Sequence, residues 1–356
     1  MSTIYLVATS GKLAKKGETL QLTIDENTTK TIFPFKTDQL LLIGNIDIST
    51  PALKFLMHHK IDTVFLNKNG RFNGKLVFRS GKNVFLRQKQ YKRLEDETFK
   101  LNLCRSIVRA KLKNQLQFMQ RISRKPGNKD NLQSKIEQVK NAVTAAEKAV
   151  SVESVRGIEG AASRAFFSVF GNAIVPDFAK FKGRSMNPPQ DNVNAVMSFV
   201  YTMIMNRVDA AIETEGLDPY VGFLHAVEYG KRSLVFDLME EYRTSIGDTL
   251  TVSLFNLGVL QEEDFREVKF SKDNDDFPLE EGEEGEESFN EKTGILLNTQ
   301  GLRKVITHLE KKLDTEIFYA PLEKRLSYKR IIFQQVRHFK RVIQGEENSY
   351  KPLIIK

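Results

Sequence analysis

The chain has 356 residues, 40% of them hydrophobic, with 25 Phe and one Cys, Cys104. It is too long for one small core, and the single Cys excludes a disulfide framework and any Cys-based zinc site, which fits a reducing, cytoplasmic setting. Net charge is +9, yet residues 273–287 hold nine acids and no base, so the remainder carries +18; such a body either attracts polyanions or has a solvated, lysine-rich surface. The first ninety residues alternate in strand fashion. The runs TIYLVA (3–8), ETLQLTI (18–24), KTIFPF (30–35), QLLLIG (39–44) and DTVFLN (62–67) lie between turn residues, and NKNGRFNGKLVF (67–78) reads as a hairpin. One helix near 50–59 interrupts them, with Ser49 as its cap and Pro51 in its first turn. His58 and His59 end that helix as surface residues. The opening MSTIYLVATSGKLAKK has no basic region before an apolar one, so no leader is expected. The longest mostly apolar run, AVMSFVYTMIM (195–205), is too short to span a bilayer. No membrane role is expected.

From about residue 95 the period becomes helical, with helices expected over 95–123, 130–150, 154–170, 191–214, 233–245, 249–257, 299–313 and 326–344. The fold class is therefore α+β: a small N-terminal β domain (1–90) followed by a larger all-α domain (95–356). The acidic stretch 273–292 is Gly-rich and poor in apolar residues, which predicts a loose surface insert.

Glu159 sits between two glycines in SVESVRGIEGAASRAFFSVFG, sharing a helix face with Ala162, Ser163 and Phe166. Either it tilts into solvent or something compensates its charge, because an unpaired carboxylate on an apolar face costs several kcal/mol; the segment alone leaves both open. In GFLHAVEYGKRSLVFDLMEEYR, His225 precedes a helix that Ser233 can cap, and Asp237, Glu240 and Glu241 lie on or near one face of it. Imidazole plus carboxylates suits Mg²⁺ or Mn²⁺, and such an ion can stabilise charge on a phosphodiester. A lone His is more often structural, and spacing alone leaves that reading standing. No HExxH, CxxC or Walker loop occurs. His308 and His338 lie on basic helices without an acidic cluster nearby. Asn194, Ser198 and Tyr201 form a polar stripe on an otherwise apolar helix, positioned to orient metal ligands or to bond neighbouring loops. Arg184 is a candidate phosphate contact. Arg105, Arg109 and Lys113 form one basic stripe, and Arg330, Arg337 and Arg341 lie opposite the apolar face of the last helix; both suit a DNA backbone track or a plain solvated back.

The succession of GIEGAASRAFF, NPPQDNVNAVMSFVY, GLDPYVGFLH and SLVFDLMEEYR resembles the CRISPR-associated spacer-acquisition integrase, the first-numbered Cas protein and catalytic subunit of CRISPR adaptation. The resemblance covers almost the full chain, from IYLVATSGKLAKKGETLQL to RIIFQQVRHFKRVIQGEENSYKPLI. It implies that Glu159, His225 and Glu240 bind a divalent metal, Mg²⁺ or Mn²⁺, with Asp237 assisting and Asn194 and Tyr201 close by. It implies transesterification, in which the 3′-hydroxyl of a captured double-stranded fragment attacks the edge of a CRISPR repeat, with endonuclease action as the same chemistry using water. It further implies a homodimer paired through the β domains, and a hetero-hexamer with the small ferredoxin-like second-numbered Cas protein. The acidic 273–292 stretch departs from the family pattern as an insertion. A catalytically idle scaffold of the same fold is argued against by intact Glu159, His225 and Glu240. A transposon-encoded integrase of the same superfamily, which usually carries a further C-terminal DNA-binding module, ranks lower because the chain reads to KPLIIK directly after its closing helix.

Overall fold

The computed structural model describes residues 2–24, 28–77, 83–124, 129–186, 188–270 and 292–355. Of the expected acidic insert, all but Lys292 falls outside these residues. The N-terminal strands β1 (Thr3–Lys16), β2 (Thr19–Thr23), β3 (Thr29–Ile32), β4 (Gln39–Ile48), β5 (Asp62–Leu66) and β6 (Phe72–Leu76) form one six-stranded sheet in the order β3-β2-β1-β4-β5-β6. The strand β1 is more than twice as long as expected, because its register shifts between Val7 and Ser10 and then continues alongside both β2 and β4. The expected strand KTIFPF stops at Ile32, and Pro34 opens a short 3-10 turn instead, having no N–H to give a ladder. Helix α1 (Thr50–His58) links the parallel strands β4 and β5, and its cap is Ser49, whose hydroxyl accepts from Ala52 N.

The run LLLI in β4 is apolar on both faces for a reason visible in the packing. Leu40 and Leu42 enter a core closed by Phe55 and Leu56 of α1, whereas Leu41 and Ile43 turn to the opposite side and join the core of the helices. A strand covered on both faces loses its polar alternation.

The helices are α2 (Val84–Glu95), α3 (Glu97–Ser123), α4 (Lys129–Lys148), α5 (Val152–Phe170), α6 (Asn192–Thr214), α7 (Ser233–Tyr242), α8 (Thr249–Asn256), α9 (Thr299–Asp314) and α10 (Tyr328–Gln344). All eight expected helices are present, and α2 is additional: with only Leu86 and Gln90 buried, its apolar period is too faint to read. Two hairpins correct the all-α expectation, β7 (Phe265–Phe270) with β8 (Lys292–Leu297) and β9 (Glu316–Tyr319) with β10 (Lys324–Ser327). The buried α6 is the axis of this half. The turn before β6 packs on it through Gly70, whose φ is +78° and whose substituent would meet the Phe199 ring at 2.5 Å, so only glycine fits. Among the described residues no helix is long and apolar enough to cross a membrane.

After α10, residues 346–355 fold back across α3 and α7. Asn114 donates to Leu353 O and accepts from Ile355 N. His338, expected to have no acidic cluster beside it, has the single acid Glu347 2.6 Å from Nδ1 and accepts from Lys351 N. Glu241 is buried and accepts from Leu353 N, Gln335 Nε2 and Tyr350 Oη. Burial outweighs these three bonds and pushes the Glu241 carboxyl up to about 7 from an ordinary 4.5. The folded protein therefore keeps a proton that the unfolded chain releases above pH 4.5. Stability should fall as pH rises from 4.5 to 7, by roughly 3 kcal/mol at full ionisation. Melting temperatures across that window check this: Glu241→Gln should flatten the slope, and an unchanged slope would locate the proton elsewhere.

Candidate active site

His225 leaves an apolar loop that the chain anchors from two sides. From behind, the fully buried Asp237 of α7 accepts from the backbone N–H of Phe223 (2.5 Å), Leu224 (3.0 Å) and His225 (2.9 Å). Its Oδ1 is also 2.8 Å from His225 Nδ1. That bond places the ring proton on Nδ1 and turns Nε2 outward with its lone pair available. From the side, Arg156 of α5 donates to Leu224 O. Ser233 does not cap α7 as expected; its hydroxyl donates to Ala226 O at 2.6 Å and closes the loop instead. Gly222 lets the loop lie against the helix start, since a Cβ there would be 2.5 Å from Ser233 C.

Glu240 follows Asp237 by three residues on α7, and its Oε1 is 3.9 Å from His225 Nε2. Arg243 donates to the same oxygen at 2.8 Å. Glu159, half-buried on α5, accepts from Ser163 at 2.7 Å. Lys111, buried on α3, joins the two acids: its Nζ is 2.5 Å from Glu159 Oε1 and 2.7 Å from Glu240 Oε2. Burial would raise the Glu240 carboxyl, but Arg243, Lys111 and His225 outweigh it and hold it at about 2. Burial would lower the Lys111 ammonium, but Glu240 and Glu159 keep it above its ordinary range. Both groups stay charged at neutral pH. The compensation that the Glu159 segment left open is thus a cation from another helix.

The loop and helix of residues 222–242, which carry His225 and Glu240, thus meet Glu159 from the sequence-distant α5 at one place. Among the described residues no group of three His, Cys, Asp or Glu is already drawn together as a metal cluster; the protein's own ammonium bridges the carboxylates instead. The donor set still fits a hard divalent ion. Glu240 Oε2 is buried and accepts no well-angled hydrogen bond, facing Lys111 as an ion pair, and an outward imidazole nitrogen completes a two-carboxylate, one-histidine set.

The polar stripe on α6 stands behind this centre. Asn194, held by the helix cap Asp191, accepts from Arg184 at 2.8 Å, and Ser198 accepts from both terminal nitrogens of Arg184 at 3.3 Å. Arg184 and Arg243 lie over the Tyr201 ring, at 5.5 and 4.9 Å from its centroid. Tyr201 Oη donates to Asp248 Oδ1 at 2.5 Å. Burial, only partly offset by the bond from Tyr201 and by Arg243 and Arg184, raises the Asp248 carboxyl to about 6. Arg243 and Asp248 bound a π-helical turn, a rare geometry that often marks functional sites. The sequence pointed to Asn194, Ser198, Tyr201 and Arg184, but not to Lys111, Arg156, Arg243 or Asp248. Lys111 did carry a readable sign: it occupies a core position of α3, four residues after Ile107 and three before Asn114, where a cation is out of place.

Beside Glu159 opens a groove of about 920 Å³ lined by Arg164, Lys180, Lys182 and Arg184, with Asp177 as an acid among them. Of the other basic residues singled out, Arg105 donates to Ala149 O and ties α3 to the end of α4. Arg109 lies 3.7 Å from Glu147. Arg337 donates to Glu215 through two nitrogens, and Arg341 to Glu347. Lys113 is half-buried and Arg330 is exposed.

The chain is 33% identical to the CRISPR-associated endonuclease Cas1 of Leptospira interrogans over 277 residues, 76% of this chain and all of that one. It is 29% identical to a CRISPR-associated endonuclease Cas1 of Thermus thermophilus over 357 residues, 99% and 97% of the two chains. The fold is shared with a casposase bound to integration product (TM-score 0.81, 20% identity, 100% and 95% coverage). It is also shared with a Cas1 protein from Thermotoga maritima (TM-score 0.78, 23% identity, 97% of each chain). The family model for CRISPR associated protein Cas1 matches residues 4–271, and the chain belongs to that family.

Proposed function

We propose that this protein is a divalent-metal-dependent DNA endonuclease and integrase of CRISPR adaptation. The observation that carries this reading is the meeting of Glu159, His225 and Glu240 beside a basic groove. Its support from relatives is the family match and the endonuclease names of the curated relatives. Glu159, His225 through Nε2, and Glu240 would hold Mg²⁺ or Mn²⁺, which when bound supplies Lewis-acid charge stabilisation at a phosphodiester.

The protein's own residues do the remaining work. Asp237 keeps the His225 proton on Nδ1, so Nε2 stays a donor of electrons. Arg243 fixes Glu240 and keeps it ionised. Asn194 and Ser198 hold Arg184 at the groove, where Arg164, Lys180 and Lys182 add positive charge for a backbone. In the proposed reaction a fragment's 3′-hydroxyl attacks a repeat phosphodiester. One P–O bond forms and one breaks, and the proton lost by the attacking hydroxyl is matched by one gained by the leaving oxygen. Water in place of the hydroxyl gives hydrolysis. The partners proposed are double-stranded DNA, a second copy paired through the β domains, and the small second-numbered Cas protein. In support, the solved structures sharing this fold include a Cas6-RT-Cas1–Cas2 complex (TM-score 0.83, 22% identity, 36% of that chain).

A strand-transfer assay tests the reading, using Mn²⁺, a fragment with free 3′ ends and a supercoiled repeat target, with and without the small partner. Joined product supports it; no joining and no cleavage under any of these conditions would overturn it. Arg330, exposed on α10, should contact phosphate. Arg330→Ala should weaken DNA binding most at low salt and reduce the slope of log K against log salt by about 1. A loss independent of salt would count against that contact.

A further inference from the structure

Lys111 needs an explanation that packing does not give. It lies among core residues of α3, near Ile107, Val108 and Leu112, and its side chain is 10% exposed. A buried ammonium is expensive, and a hydrophobic residue at a core position commonly stabilises a fold as well or better. The position nevertheless carries a cation, whose nitrogen is 2.5 Å from Glu159 Oε1 and 2.7 Å from Glu240 Oε2. These are the two carboxylates that the proposed function gives to a metal.

We propose that Lys111 is a resident counter-cation of the active site: it holds Glu159 and Glu240 together in the metal-free protein, and a divalent ion must displace it to bind. This inference rests on the metal reading above. Two facing carboxylates with no cation between them repel, and the fold would then resist ionising both. Lys111 removes that problem before any ion arrives. It cannot keep its place once a divalent ion takes the same oxygens, because like charges at that separation oppose each other.

The rest of the cluster suits an exchange. Glu240 keeps Arg243 on Oε1 while Lys111 faces Oε2, so only one of its two oxygens changes partner. Glu159 keeps its bond from Ser163. A lysine also suits the role better than an arginine. Its charge is a single point on a flexible four-carbon stem, whereas a guanidinium grips carboxylates through a planar fork. The exchange makes metal affinity lower than the ligands alone would give, by the fraction of time the site is held closed.

The test is Mn²⁺ titration by calorimetry into chelator-stripped full-length protein, paired with melting temperatures in chelator and in saturating Mn²⁺. Lys111→Met should bind Mn²⁺ on the order of ten-fold more tightly than wild type. It should melt lower than wild type in chelator and gain more from Mn²⁺. Lys111→Arg should bind Mn²⁺ more weakly than wild type. A purely structural lysine predicts equal Mn²⁺ affinity in every variant that folds, and that outcome overturns the proposal while leaving the metal reading intact. If Lys111→Met does not fold, Lys111→Arg decides: weakened binding supports the exchange and unchanged binding overturns it. Absence of Mn²⁺ binding in wild type and in both variants overturns the metal reading, and the exchange with it.

Discussion

Glu240→Gln is expected to lower strand transfer in Mn²⁺ on the order of 10³-fold or more while the protein still melts cooperatively. The carboxylate is buried among three positive or potentially positive groups, and their combined field keeps it ionised at about pH 2 and above. Glutamine preserves the volume and one acceptor but removes the negative charge on which the site is centred. Truncation to alanine is a poorer probe. It would leave Lys111 and Arg243 facing an emptied position, and an uncompensated buried charge costs about 3–5 kcal/mol. Initial rates of strand transfer, measured with melting curves on the same samples, separate lost chemistry from lost fold. His225→Ala and Glu159→Gln should fall into the same class of rate loss. A Glu240→Gln rate within a few-fold of wild type would remove Glu240 from the reaction.

The second large effect concerns Asp237. It carries no exposed surface, and its two oxygens accept three backbone N–H groups and face His225 Nδ1. Asp237→Asn keeps the shape but turns an amide NH₂ toward groups that are themselves donors. The loop from Phe223 to His225 then loses part of its anchor, and the imidazole loses the partner that fixes its tautomer. Activity should fall roughly 10- to 100-fold, the range usual for residues that orient a metal ligand, which is the role proposed for His225. Mn²⁺ binding should weaken as well, because the imidazole is no longer held with Nε2 outward. Lower stability with unaltered Mn²⁺ affinity would mean that Asp237 serves the loop and not the histidine.

How much of this was legible in the sequence varies by element. The order of β-rich and helical halves was readable, because alternation gives way to helical period near residue 95. The α2 helix was not, since its buried side consists of Leu86 and Gln90 and lacks an apolar stripe. The π-helical turn Arg243–Asp248 was read as a helix end at 245 followed by a break, because backbone hydrogen-bond spacing leaves no mark on residue types. In the site, His225 and its carboxylates were legible because they are neighbours in sequence. Glu159 was ambiguous from its own segment, since the cation answering it comes from α3, 48 residues upstream. Lys111 went unread for the same reason: a stripe of Arg105, Arg109 and Lys113 suggested a solvated face, while the buried face two residues away held the functional charge.

Strand β4 has a consequence for how the protein comes apart. Leu40 and Leu42 belong to one hydrophobic core and Leu41 and Ile43 to the other. Pulling this strand out would expose both cores at once, so the halves share their resistance to heat and denaturant. Calorimetry should record a single endotherm. Excising either half would leave the survivor with a bare greasy wall, so the two are partners in one cooperative unit.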